Sequence, residues 1–94
     1  MADAGKLAKV FRALSVPTRV KIVQILKERP LCVNALASRL KVTPAAVSQH
    51  LRVLRGADLV TGEKRGYYVH YEINPKTLSA WKDIADKLLG PEAE

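Results

Sequence analysis

The chain is poor in several things. It has one cysteine in 94 residues, so no intrachain disulfide can staple it. One tryptophan, one phenylalanine and three tyrosines leave the core to aliphatic side chains. No apolar run approaches the roughly 20 residues a membrane span needs. Met1 to Lys9 lacks the apolar stretch and small-residue cleavage site of a secretory signal. The expectation is a cytoplasmic chain with no membrane partner. There is no internal repeat, no low-complexity segment and no linker. There is also no glycine-rich phosphate loop, no clustered acid pair, and no nucleophile with a base and an orienting third group. An enzyme is not expected. Acidic residues are scarce too: nine against sixteen Lys and Arg give a net charge of +7. Such an excess favours polyanionic partners.

Ninety-four residues with 48% apolar content make one domain, 1–94. A chain this short gains marginal stability from its own core, so burial against a second copy is expected. The positive charge is uneven. Residues 1–30 carry seven Lys/Arg against two Asp/Glu, residues 31–67 six against two, and residues 68–94 three against five. The first two thirds are suited to face phosphate; the last third is not.

Leu7, Val10, Phe11 and Leu14 recur at i, i+3, i+4 and i+7, the stripe of a first helix over about 5–14. Ser15-Val16-Pro17 breaks the chain, and a first-turn proline opens a second helix that Arg29-Pro30 stops. A short third helix spans about Val33 to Leu40. Thr43-Pro44 is a second cap followed by proline. The helix it opens runs to about Arg55, where Gly56 can end it. The period then changes. Leu59 to Thr61 and Tyr67 to Ile73 are β-rich and bracket a charged tip, Gly62 to Gly66, giving a hairpin over about 59–73. Asn74-Pro75 opens a last helix over about 75–89, with Leu78, Trp81, Ile84 and Leu88 on one side. Gly90-Pro91 ends it, and the Glu92-Ala93-Glu94 tail is expected to fray. The fold class is mainly α with a small hairpin, in the order α-α-α-α-β-β-α. The first and last helices are expected to pack on each other and on a partner copy.

Residues 33–55 have helix-turn-helix form, a short helix, a tight turn at Lys41-Val42 and a longer helix. Leu36, Leu40, Val42, Val47, Leu51 and Leu54 are expected to point inward. Helical spacing then gathers Ala45, Ser48, Gln49 and Arg52 on the opposite face. That suits a helix laid in the major groove of double-stranded DNA, which is about 12 Å wide and takes one helix. Gln49 can pair with adenine, Arg52 with guanine or phosphate, and Ala45 and Ala46 can pack on thymine methyls. Thr43, Pro44 and the helix N-terminus are placed to hold a phosphate. Lys64, Arg65 and Tyr67 at the hairpin tip make a second probe, for the backbone or the minor groove. An alternative for the same surface is an acidic protein partner.

Two stretches resemble the ArsR/SmtB family of winged helix-turn-helix repressors. Leu14 to Ile22 is similar to that family's L-x-x-P-T-R-x-x-I opening. Val47 to Leu54 is similar to its V-S-x-H-L-x-x-L recognition helix. Asp58-Leu59-Val60 and Tyr67 to Tyr71 fit the wing that follows. The resemblance covers roughly residues 7–89. It implies a homodimer built from the end helices (Leu7, Val10, Phe11, Leu14, Leu78, Trp81, Ile84, Leu88), a pseudo-palindromic operator, and repression relieved by an inducer. The family's usual metal sites look incomplete here. Cys32 matches the first cysteine of a Cys-x-Cys pair, but Asn34 stands where the second would be. The last helix offers Asp83 and Asp86 and no histidine. Neither histidine, His50 on the recognition helix or His70 on a wing strand, has a recognisable spacing to Cys32. No metal and no cofactor are therefore expected. Cys32 reads either as a half-buried packing residue or as a sensor thiol. His50 is expected beside the reading face, and His70 with Glu72 on a solvated strand face.

Overall fold

The computed structural model describes residues 3–91. Five helices and three strands follow in the order α1 (Ala4–Ala13), α2 (Pro17–Leu26), β1 (Leu31–Cys32), α3 (Val33–Leu40), α4 (Pro44–Gly56), β2 (Val60–Arg65), β3 (Tyr68–Ile73) and α5 (Pro75–Leu89). The expected tail, Glu92 to Glu94, lies outside the described residues, as does the start of the Met1 to Lys9 segment.

The helix starts follow local chemistry. The Asp3 carboxylate accepts from the Gly5 and Lys6 N–H groups at 2.9 and 3.2 Å and caps α1. Proline sits at the first turn of α2, α4 and α5, where its missing N–H goes unnoticed. The Asn74 side chain accepts from the Lys76 N–H at 3.1 Å. One helix end was not foreseen. Arg19, at the start of α2, reaches back to the end of α1. Its Nε donates to the Ala13 carbonyl at 2.6 Å and its Nη2 to the Arg12 carbonyl at 2.9 Å. A cation on the last carbonyls satisfies them and offsets the negative end of the helix dipole. The α1–α2 angle is thus set by a side chain as well as by packing.

The core lies between α2, α3, α4 and the inner side of the sheet. Ile22, Leu36, Val47, Leu51, Leu54 and Leu59 are all at or below 1% exposed. They are aliphatic, as the scarcity of aromatics required. Val42, expected inward, is 36% exposed. It follows Lys41, whose φ of 57° is left-handed, and that bend carries the next side chain out of the core. The second left-handed turn after α4 falls at Asp58 (φ 63°), not at Gly56, which stays helical.

The hairpin differs from expectation in two respects. Gly62 to Arg65 are strand rather than loop, paired with Tyr71, His70, Val69 and Tyr68. The turn proper is Gly66-Tyr67, with Gly66 at φ 64°, the conformation a tight hairpin turn needs and glycine supplies. Gly62 lies under aromatic cover; a Cβ there would sit 3.1 Å from the Tyr71 ring. The second difference is β1. It pairs Leu31 with Tyr71 and Cys32 with His70, giving a three-stranded antiparallel sheet in the order β1-β3-β2. The observed order is therefore α-α-β-α-α-β-β-α. Two residues are too few for any periodicity to show.

Candidate nucleic-acid interface

Helix α4 has two unlike sides. Val47, Leu51 and Leu54 are sealed in the core, while Ala45, Ser48, Gln49 and Arg52 are exposed. The hydrophobic side fixes how far and at what angle the helix stands out. The polar side then carries Ser48, Gln49 and Arg52 within about one turn of the helix, with Ala45 a turn before them. Ala46 and His50 are half-buried, which places both at the flank of that row, while Ala45 is exposed.

The α4 N-terminus is narrower as an anion site than the sequence implied. Thr43 Oγ1 accepts from the Ala46 N–H at 3.1 Å, and Pro44 has no N–H to give. Ala45 N–H is the first-turn donor left without a protein partner among the described residues. The Thr43 hydroxyl proton stays available, because capping uses only the oxygen lone pair. Arg39 and Lys41, neither singled out from the sequence, are exposed beside this turn. A basic residue inside a helix-turn-helix turn was the signal that would have found Lys41.

On the wing, Lys64, Arg65 and Tyr67 are all exposed. Tyr67 is 99% exposed at the turn. Lys64 and Arg65 are neighbours in β2, so their side chains leave opposite faces of the sheet. They do not form one probe. Arg65 Nε lies 3.8 Å from Glu63 Oε1, so part of its charge is offset before any partner arrives.

Cys32 is half-buried, and the structure overturns one reading about it. His70 has no sequence spacing that points to Cys32, yet it stands directly across the β1–β3 ladder from it. His70 is also not on a solvated face: its Nδ1 is buried without a hydrogen-bond partner. Glu72 is half-buried as well. Even so, among the described residues no three of His, Cys, Asp and Glu come together as metal ligands. On α5 the Asp86 carboxylate accepts from Lys82 Nζ at 2.8 Å. That bond is the main cause that raises the Lys82 pKa, and it commits Asp86 to a lysine. Cys32 thus faces one histidine across the ladder, and Asp83 and Asp86 lie on the exposed side of α5.

The expected dimer residues fall into three groups. Leu7 and Val10 are buried within the protomer, 7% and 5% exposed, and α1 lies against α5. Leu14, Leu78, Trp81 and Ile84 are half-buried. Phe11 and Leu88, together with Leu89, remain 40%, 54% and 70% exposed.

A profile described as "Bacterial regulatory protein, arsR family" matches residues 16–61. The transcriptional repressor SdpR of Bacillus subtilis is 30% identical over 69 residues, 73% of this chain and 77% of that protein. The chain belongs to the ArsR family. Other members agree. A transcriptional repressor SmtB homolog from Synechocystis is 35% identical over 87 residues, covering 92% of this chain and 66% of that protein. SmtB of Mycobacterium tuberculosis is 44% identical over 70 residues, 74% of this chain and 50% of its own length. The chain thus spans half to two thirds of these two relatives. A solved structure described as a possible transcriptional regulator for arsenical resistance superposes with a TM-score of 0.79 at 35% identity, covering 85% of this chain and 83% of that one. The ArsR fold extends to a Mycobacterium bovis domain described as a homodimeric winged helix-turn-helix, with a TM-score of 0.73 at 22% identity over 96% of this chain and 87% of that one. The ArsR match ends at residue 61, so it takes in α4 and leaves most of the wing outside.

Proposed function

We propose that this ArsR-family chain is a homodimeric repressor that binds a pseudo-palindromic operator in the cytoplasm, by recognition and without catalysis. The observation that carries the reading is α4 itself: Ser48, Gln49 and Arg52 are exposed on a helix whose other edge, Val47, Leu51 and Leu54, is fully buried. A polar row held at a fixed angle is what base reading requires. In this reading Gln49 takes an adenine edge and Arg52 a guanine or a phosphate. Ala45 packs on a thymine methyl. Thr43 and Pro44 place the helix start against the backbone, with Ala46 and His50 flanking it. Lys64, Arg65 and Tyr67 extend contact from the wing, and the net charge of +7 supports the long-range attraction.

The dimer is built on α1 and α5, where Phe11, Leu88 and Leu89 leave apolar surface uncovered. Two copies related by a two-fold axis present two α4 helices to adjacent major-groove segments. No helix of the described residues is long and apolar enough to cross a membrane.

Selection of bound duplexes from a random pool, followed by titration of the winner, tests this. A palindromic consensus bound by two chains is the expected result. Duplex binding that is absent at low salt, or that shows no sequence preference, refutes it.

A further inference from the structure

We propose that the Glu63–Arg65 pair makes the wing a selector of DNA shape. Arg65 enters the minor groove outside each α4 half-site, and Glu63 lets it do so only where that groove is narrow and A·T-rich. The selection rests on the DNA-binding reading above.

The hairpin has the reach. α4 ends at Gly56 and β2 begins at Val60, so the wing springs from the end of the reading helix. β2 and β3 have six residues each, about 20 Å of strand. From the middle of a major groove to the middle of the next minor groove is about 17 Å, half of the roughly 34 Å turn. The sheet packs on α2, α3 and α4 while α1 packs on α5, and the base of β3 joins α5 through Asn74. The tip therefore points away from the dimer helices, towards the outer flank of each half-site.

The strand register then sorts the side chains. Arg65 pairs with Tyr68 and Glu63 with His70, and these four share one face by alternation. Gly62, Lys64, Val69 and Tyr71 share the other; a Cβ on Gly62 would lie 3.1 Å from the side chains of Val69 and Tyr71. Tyr71 and Ile73 pack on the core, so Lys64 leaves from the side of the helices and Arg65 from the far side. With α4 in a major groove, Lys64 is set over the phosphate ridge and Arg65 over the minor groove beyond it.

That groove, about 6 Å wide, admits a side chain but not a two-stranded ribbon. Arginine suits it, being planar and more weakly hydrated than an ammonium. A·T tracts narrow the groove and strengthen its negative potential, whereas guanine places an N2 amine on its floor. Arg65 does not come free. Its Nε lies 3.8 Å from Glu63 Oε1, and Glu63 is the only acid in residues 59–71. On entering, Arg65 leaves that carboxylate, and Glu63 is left beside a wall of phosphates. A narrow groove attracts Arg65 strongly enough to offset both penalties; a wide one does not. Specificity is a difference of affinities, and a repulsive group enlarges it.

The test measures competition binding of the full chain to the selected duplex with about three base pairs rewritten, centred roughly five base pairs outside each α4 half-site, at about 3.4 Å per pair. The flanks are A·T, G·C, inosine·cytosine and diaminopurine·thymine. Inosine lacks the guanine N2 amine and diaminopurine adds it to adenine, so the two groove faces are changed independently. Wild type is expected to bind the A·T and inosine flanks about tenfold tighter than the G·C and diaminopurine flanks. Arg65→Ala and Arg65→Lys should both bring that ratio below about twofold, the lysine variant while keeping its charge and its salt slope. Glu63→Gln should tighten the G·C flanks more than the A·T flanks, which narrows the ratio from the other side. The central preference set by Gln49 should hold in all three variants. Equal wild-type affinity for the four flanks, an inosine flank that follows G·C, an Arg65→Ala variant that keeps the full ratio, or a Glu63→Gln variant with the wild-type ratio overturns the inference. A wild-type chain without central preference refutes the DNA-binding reading itself, and the selector falls with it.

Discussion

The Arg65–Glu63 pair on the wing allows the DNA contact to be tested by two substitutions of opposite sign. The ion pair is 3.8 Å long and both side chains are roughly half-exposed, at 49% and 63%. An exposed pair of this kind is worth about 0–1 kcal/mol, so either partner can be changed without threatening the fold. If Arg65 meets a phosphate, each dimer makes that contact twice. Arg65→Ala should then flatten the slope of log K against log salt by about 1.8, at roughly 0.9 per phosphate contact. Between 50 and 200 mM salt, wild type should therefore lose about twelvefold more affinity than the variant. Glu63→Gln removes the competing carboxylate. It should tighten binding at low salt, and its slope should be at least as steep as wild type. Fluorescence anisotropy on the selected duplex at four salt concentrations reads both. Equal slopes for all three proteins would show that the wing does not touch the backbone, and the wing assignment would fall.

Four further outcomes are expected. Gln49→Ala should relax preference at one base pair per half-site, costing about 1–3 kcal/mol for the matched operator and little for random duplex; competition assays against single-base operator variants read it. Leu54→Ala, at a position with 0% exposure, should lower stability by about 2–5 kcal/mol in urea unfolding at fixed protein concentration. Arg19→Met should cost about 1–3 kcal/mol through the two lost bonds to α1 carbonyls, and hydrogen exchange should speed up at the end of α1 before anywhere in α4. Lys41→Gly should stabilise the chain by about 0.5–1 kcal/mol, since glycine adopts the left-handed φ of 57° without the Cβ clash and recovers slightly more than it loses in chain entropy; a lower thermal midpoint would contradict this.

The parts of the fold legible in the sequence were those written in local chemistry. Val16-Pro17, Thr43-Pro44 and Asn74-Pro75 each announce a helix start, because a proline there has only one comfortable place. The alternation of sealed and wet residues along α4 was readable as well, since one helix makes that pattern by itself. What escaped depends on residues distant in the chain. Arg19 caps α1 from six positions away, and no local rule assigns it that task. β1 exists only because β3 is there to receive it, so the Cys32–His70 register was invisible. Gly62 read as a turn because glycine usually marks one; in the fold it is a strand residue that makes room for Tyr71. Lys64 and Arg65 looked like one basic tip until the pleat sent them to opposite faces.

The short β1 rung has a mechanical consequence. It ties the middle of β3 to the residues leading directly into α3, so the hairpin is held along its β3 edge as well as at its stalk. The wing and the helix-turn-helix are thereby joined through the backbone itself and not only through side-chain packing. A shift at the middle of β3 is therefore passed directly to the first residues of α3.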